Sequence, residues 1–134
     1  MDPAGWVRLD GEFAVVTGAG AGIGRAIAQT LAAAGMAVVA VDFSADAAQT
    51  TATAARSAGG QAITDVIDLG TSEGSDAAVA AAVDGFGRID VLVNNAGVYR
   101  PSGVPPDIDW ELFERTCAVN LHGPLRRKSR RSLL

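Results

Sequence analysis

The chain has little of what covalent, metal-based or membrane-based stabilisation requires. Cys117 is the single cysteine in 134 residues, so no intrachain disulfide can form and a reducing, cytoplasmic setting is expected. One cysteine and one histidine, His122, make no zinc-type ligand set. The longest apolar run, Leu31 to Val41, is interrupted by Gly35 and falls well short of a bilayer span of about 18 residues. The opening MDPAGWVRLDG has no basic segment followed by an apolar one, so neither an export signal nor a membrane segment is expected. Aromatic residues number only seven, although 49% of the chain is apolar. Much of that apolar content is Ala and Val, which suits thin helices laid on a β-sheet.

Charge of one sign is scarce where nucleic acid would need it. Residues 1–125 carry six arginines against fifteen acids, while Arg126, Arg127, Lys128, Arg130 and Arg131 crowd the end. An acidic body of this kind has no electrostatic footprint for nucleic acid. The reading is one domain over residues 1–125 followed by a basic, solvated or frayed tail over 126–134.

Strand-like and helix-like runs alternate from residue 12: EFAVVTG, IGRAIAQTLAAAG, MAVVAVD and then an Ala/Thr-rich stretch. This is a βαβ rhythm. Ile23, Ile27, Leu31 and Ala34 predict an apolar helical stripe, with Gly35 as its C-terminal stop. Ser44 or Asp46 caps a second helix to about Ser57, QAITDVIDL supplies a third strand, and a third helix is expected over about Ser75 to Phe86. RIDVLVNNAG reads as a fourth strand without polar alternation, as if covered on both faces. VYRPSGVPP is a loop, and DIDWELFERTCAVN resumes a helix with Ile108, Leu112, Phe113 and Cys117 near one side. The fold class is α/β, the N-terminal part of a doubly wound parallel sheet.

The turn VVTGAGAGIGRA joins the first strand to the first helix, where backbone N–H groups and a helix N-terminus can meet a pyrophosphate. The spacing is T-G-x-x-x-G-x-G, on Thr17, Gly18, Gly22 and Gly24. Asp42 ends the second strand, 18 residues beyond Gly24, close to the offset at which an acid accepts from the adenosine ribose. An unpaired carboxylate there repels a 2′-phosphate, and Ala21 and Phe43 supply no competing cation, so NAD is expected in preference to NADP.

These residues resemble the short-chain dehydrogenase/reductase family. TGAGAGIG is similar to its cofactor turn, Asn94 to Gly97 (NNAG) to its fourth-strand signature, and Asn120 in VNL to its active-site asparagine. The resemblance spans about residues 8–125. It implies a Rossmann-type sheet in the order 3-2-1-4, with Ile23 and Phe43 beside the cofactor. It further implies Asp68 and Leu69 bordering the adenine, and Asn94, Ala96 and Gly97 shaping the strand end beneath it. The activity implied is oxidoreduction of an alcohol or carbonyl, with homo-oligomerisation as a possible assembly.

The same resemblance implies a catalytic Ser and a Tyr-x-x-x-Lys pair, in which the ammonium lowers the phenol's pKa from about 10. The single tyrosine, Tyr99, and single lysine, Lys128, cannot form that pair. His122 reads as an ordinary surface histidine rather than a substitute acid. The chain is accordingly expected to be a truncated or frame-shifted family member, or else a shortened protein that borrows cover from a partner. In either case it holds a dinucleotide, and takes a small-molecule substrate only if the missing segments complete it. The alternatives are a non-catalytic NAD(H)-binding module and an interaction protein using the basic end.

Overall fold

Two short apolar strands set the architecture, because neither has a face that tolerates water. A computed structural model describes residues 8–131; residues 1–7 and 132–134 lie outside the described residues. Strand β1 (Phe13–Thr17) pairs in parallel with β2 (Ala37–Asp42), matching Val15 to Val39, and on its other side with β4 (Val91–Val93). Strand β3 (Gln61–Val66) adds to β2, giving the order β3-β2-β1-β4. The four-stranded parallel sheet is therefore the incomplete doubly wound arrangement expected from the sequence.

Alternation along the strands divides the core into two layers. Ala14, Val16, Val38 and Ala40 face Ala28 and Ala32 of α1 (Gly22–Ala33) and Ala52 and Ala55 of α2 (Ala45–Ser57). Val15, Val39 and Val41 face the opposite way, against Ala78 and Ala82 of α3 (Ser72–Phe86). Helices on both faces are what a parallel sheet with buried strands requires. Alanine on the buried stripes lets the helix backbones lie close to the sheet.

The helix limits follow from local chemistry. Gly35 takes φ +103° just past α1, and the Ser44 hydroxyl accepts from Ala47 N–H at the start of α2. Helix α3 begins at Ser72, three residues before the expected start, because Thr71 Oγ1 accepts from Gly74 N–H and caps it. The buried stripe of α1 is Gly24, Ala28 and Ala32, while Ile23 is 73% exposed. Of the expected stripe, Ile27 and Leu31 pack half-buried against this core and Ala34 is buried, so the correction falls on Ile23 alone, which faces outward.

Strand β4 is shorter than RIDVLVNNAG suggests and its three residues are only half-buried. It is an edge of the sheet among the described residues, yet both of its faces pack as its composition predicts, Val91 and Val93 against one core layer and Leu92 against the other. Its entry is fixed by Asp90, whose Oδ2 accepts from Phe13 N–H at 2.8 Å and from Arg88 Nε at 3.0 Å.

Helix α4 (Trp110–Cys117) runs through a π-helical turn (Ala118–His122) into α5 (Gly123–Arg131), which packs along α3. The domain boundary expected at residue 125 falls inside α5. Arg127 corrects the expectation of a solvated tail, because it is fully buried. Its Nε donates to Asn94 Oδ1 at 2.8 Å and its Nη1 to Ser75 Oγ at 3.5 Å, while Nη2 has no partner among the described residues. Burial pushes its guanidinium pKa down from the usual value. No helix among the described residues is long and apolar enough to cross a membrane.

Candidate functional site

The carboxyl ends of the strands open into a crevice of about 670 Å³, at the position where doubly wound sheets take ligands. Its floor is the β1–α1 turn. Gly18 at φ +63° and Gly22 at φ +50° adopt the left-handed conformation that favours glycine. Gly24 is buried, and a Cβ there would lie 2.1 Å from Gly18 O. The turn can close only without side chains at these points.

The start of α1 differs from those of α2, α3 and α4. Helices α2, α3 and α4 are capped by Ser44, Thr71 and Asp109, and each has an acid in its first turn. Helix α1 has Ala21 before it, no side-chain cap and no first-turn acid. Its leading N–H groups are left as donors beside the crevice, where an anion is stabilised by the helix dipole.

Asp42 closes one side of the crevice. Its Oδ2 accepts from Gly20 N–H at 2.8 Å and its Oδ1 from Ser44 N–H at 3.0 Å. Gly20 was passed over by the motif reading, yet a Cβ there would sit 2.7 Å from Asp42 Oδ2. Arg25 donates at the same corner to Gly20 O and to Thr51 Oγ1, the latter at 3.3 Å.

Only some of the expected site residues line the crevice. Gly18, Asp42, Phe43, Asp68, Leu69, Ala96 and Gly97 line the crevice. Gly22, Ile23 and Gly24 belong to the turn and helix start beneath it. Thr17 is fully buried behind the turn: its hydroxyl donates to Val93 O and accepts from the N–H groups of Asn95 and Ala96, each at 3.1 Å. It fastens β1 to the end of β4. Asn94 instead meets Arg127, and it is Asn95, not singled out from NNAG, whose Nδ2 reaches Thr17 O and Gly18 O at 3.0 and 3.2 Å.

Asn120 sits in the π-helical turn, with Nδ2 donating to Val98 O and Oδ1 accepting from Val98 N–H, both at 2.7 Å. The pair of bonds fixes the loop leaving β4 against the α4–α5 junction. Tyr99 is 91% exposed in that loop, and Lys128 lies on α5, so the two do not share a helix face. His122 is exposed at the end of the π-helical turn.

Arg115 of α4 had no signal in sequence, being 47 residues from its partner. Its Nη2 donates to Asp68 Oδ1 at 2.6 Å, and Gly70 N–H donates to the same oxygen at 2.9 Å. The guanidinium first, and the amide after it, hold the Asp68 carboxyl below its usual 3.8. A lowered folded-state pKa contributes stability above that usual value and loses it as pH falls through the folded value. Arg115→Gln is therefore expected to melt below the parent near neutral pH, with the two melting temperatures converging below pH 3.8. A gap constant throughout the acid range contradicts this assignment.

Comparison with known proteins agrees with the geometry. The short chain dehydrogenase family model matches residues 12–128. The short-chain reductase protein NovJ of Streptomyces niveus is 47% identical over 115 residues, covering 86% of this chain and 44% of that protein. The 7alpha-hydroxysteroid dehydrogenase of Escherichia coli K12 is 41% identical over the same shares. A 7α-hydroxysteroid dehydrogenase structure complexed with NADH and 7-oxo glycochenodeoxycholic acid superposes with a TM-score of 0.85 at 38% identity, covering 96% of this chain and 48% of that one. A short chain dehydrogenase from Mycobacterium avium gives 0.86 at 35% identity, over 93% and 46% of the respective chains. The chain thus spans a little under half the length of these relatives. A match over this much of the sequence, on a sheet of the same kind, makes the chain a member of the short-chain dehydrogenase family.

Proposed function

We propose that this chain forms the NAD-binding half of a cytoplasmic oxidoreductase acting on a small alcohol or carbonyl substrate. The observation that carries the reading is the uncapped start of α1, whose free N–H groups follow a turn of small residues and glycine into the crevice. Gly18, Gly22 and Gly24 keep that turn clear for a pyrophosphate, as a Cβ at Gly18 or Gly24 would strike backbone. Asp42 presents a carboxylate to a ribose diol and repels a 2′-phosphate, while Arg25 is tied to Gly20 O and Thr51 Oγ1. Phe43, Asp68 and Leu69 flank the adenine end, and Ala96 and Gly97 line the wall beneath the cofactor. When bound, the nicotinamide gives or accepts the hydride. Asn120 holds the loop over this region through Val98, and the sequence places no lysine four residues after Tyr99. The 134-residue chain is thus a binder that does not turn over unaided.

The test is a thermal melt combined with an activity assay. NAD at a hundredfold excess over its Kd should stabilise the fold by about 2.7 kcal/mol. NADP at the same concentration should give a smaller shift, and no NADH should be consumed with a panel of aldehydes and ketones. A folded protein whose melt ignores NAD contradicts the cofactor assignment; NADH turnover above a blank contradicts the catalytic one.

A further inference from the structure

The Asp68 carboxylate is used unevenly. Both of its hydrogen bonds, from Arg115 Nη2 at 2.6 Å and Gly70 N–H at 2.9 Å, arrive at Oδ1. Oδ2 takes part in no hydrogen bond among the described residues, and the side chain is 52% exposed and lines the crevice. Two donors on one oxygen fix the plane of the carboxylate, leaving the other oxygen as an acceptor aimed by its neighbours. Gly70 is part of the device: a Cβ there would lie 2.1 Å from Arg115 Nη1, so a side chain at this position would push the guanidinium out of its present place.

We propose that Arg115 is a positioning residue for base recognition, orienting Asp68 so that its free Oδ2 selects a purine bearing a 6-amino group over one bearing a 6-carbonyl. An amino N–H donates to a carboxylate oxygen, whereas a carbonyl oxygen in the same place meets like charge and leaves the acceptor unpaired. Arg115 acts through Asp68, so its contribution lies in the choice between two bases. This inference rests on the proposed NAD site.

The experiment is isothermal titration calorimetry of the full chain with NAD and with nicotinamide hypoxanthine dinucleotide, which differ at that one group. The Asp68–Arg115 pair is about half exposed, so its loss should be modest. Arg115→Gln should weaken NAD about two- to fivefold and leave the hypoxanthine analogue unchanged, lowering the preference by the same factor. Arg115→Lys should restore part of the preference, and Gly70→Ala, which displaces the guanidinium without changing charge, should reproduce the loss. A purely structural role for Arg115 weakens both dinucleotides equally, and a preference unmoved across the three variants overturns the inference while leaving the NAD site standing. Failure of the parent chain to bind NAD overturns the cofactor reading and this inference together.

Discussion

Gly24→Ala is expected to lose about 2 kcal/mol or more of stability and to abolish the NAD-dependent rise in melting temperature. Alanine gains about 1 kcal/mol over glycine in a helix interior. Here that gain is outweighed, because the added Cβ would sit 2.1 Å from Gly18 O and 2.5 Å from Asn95 Nδ2. The first of these is backbone of the turn itself and cannot rotate aside, so helix α1 must move off the strand ends that the turn serves. Gly59→Ala is the control. Gly59, unlike Gly24, is left-handed, at φ +88°, but has open space around its missing Cβ and lies in the α2–β3 connection at the opposite end of the sheet. It should cost about 1–2 kcal/mol from backbone strain alone and leave the NAD shift intact. Urea melts with and without NAD read both variants; equal loss of the NAD shift in the two contradicts the role given to Gly24.

Arg127→Met is expected to raise stability. The guanidinium is fully buried, has one good hydrogen bond and one at 3.5 Å, and has no carboxylate within ion-pair distance among the described residues. Desolvating a charge costs several kcal/mol, and a buried ion without a counter-ion recovers little of it. A thioether side chain of similar length fills the space between α3 and α5 without that penalty. Replacements of this kind stabilise by about 1–4 kcal/mol, read as a higher urea midpoint at unchanged slope. Asn94→Ala in the parent should do the opposite, costing about 1–3 kcal/mol by leaving the buried charge with only the long contact to Ser75. A less stable Arg127→Met would mean that the arginine holds α5 in place by more than its packing.

These two residues also mark what was legible in the sequence and what was not. The glycine turn, Asp42, the Ser44 cap and the Gly35 stop depend on neighbours within a few positions or on a fixed βαβ spacing, so composition and order reveal them. The strand order was implied by the resemblance to the short-chain dehydrogenase/reductase family, and the four-stranded sheet has it. Arg127 was read as solvated because its neighbours are basic, yet its burial is decided by where α5 lies on α3. Ile23 was misplaced, since a sequence stripe gives period but not rotation against the sheet. Arg115 was invisible because nothing local couples it to Asp68, and Gly70, which makes room for it, looks like a turn glycine. Gly20 was hidden inside the variable part of the motif, although its N–H holds Asp42.

The central claim, that the amides of the β1–α1 turn grip a diphosphate while Asp42 receives the ribose, is tested most directly by amide NMR during NAD titration. The account predicts that the 15N–1H resonances of Gly18 to Gly24 and of Ser44 shift progressively and saturably, while Gly59 and Gly60 stay fixed. Saturable shifts confined to residues outside the crevice, with the turn unmoved, would contradict it.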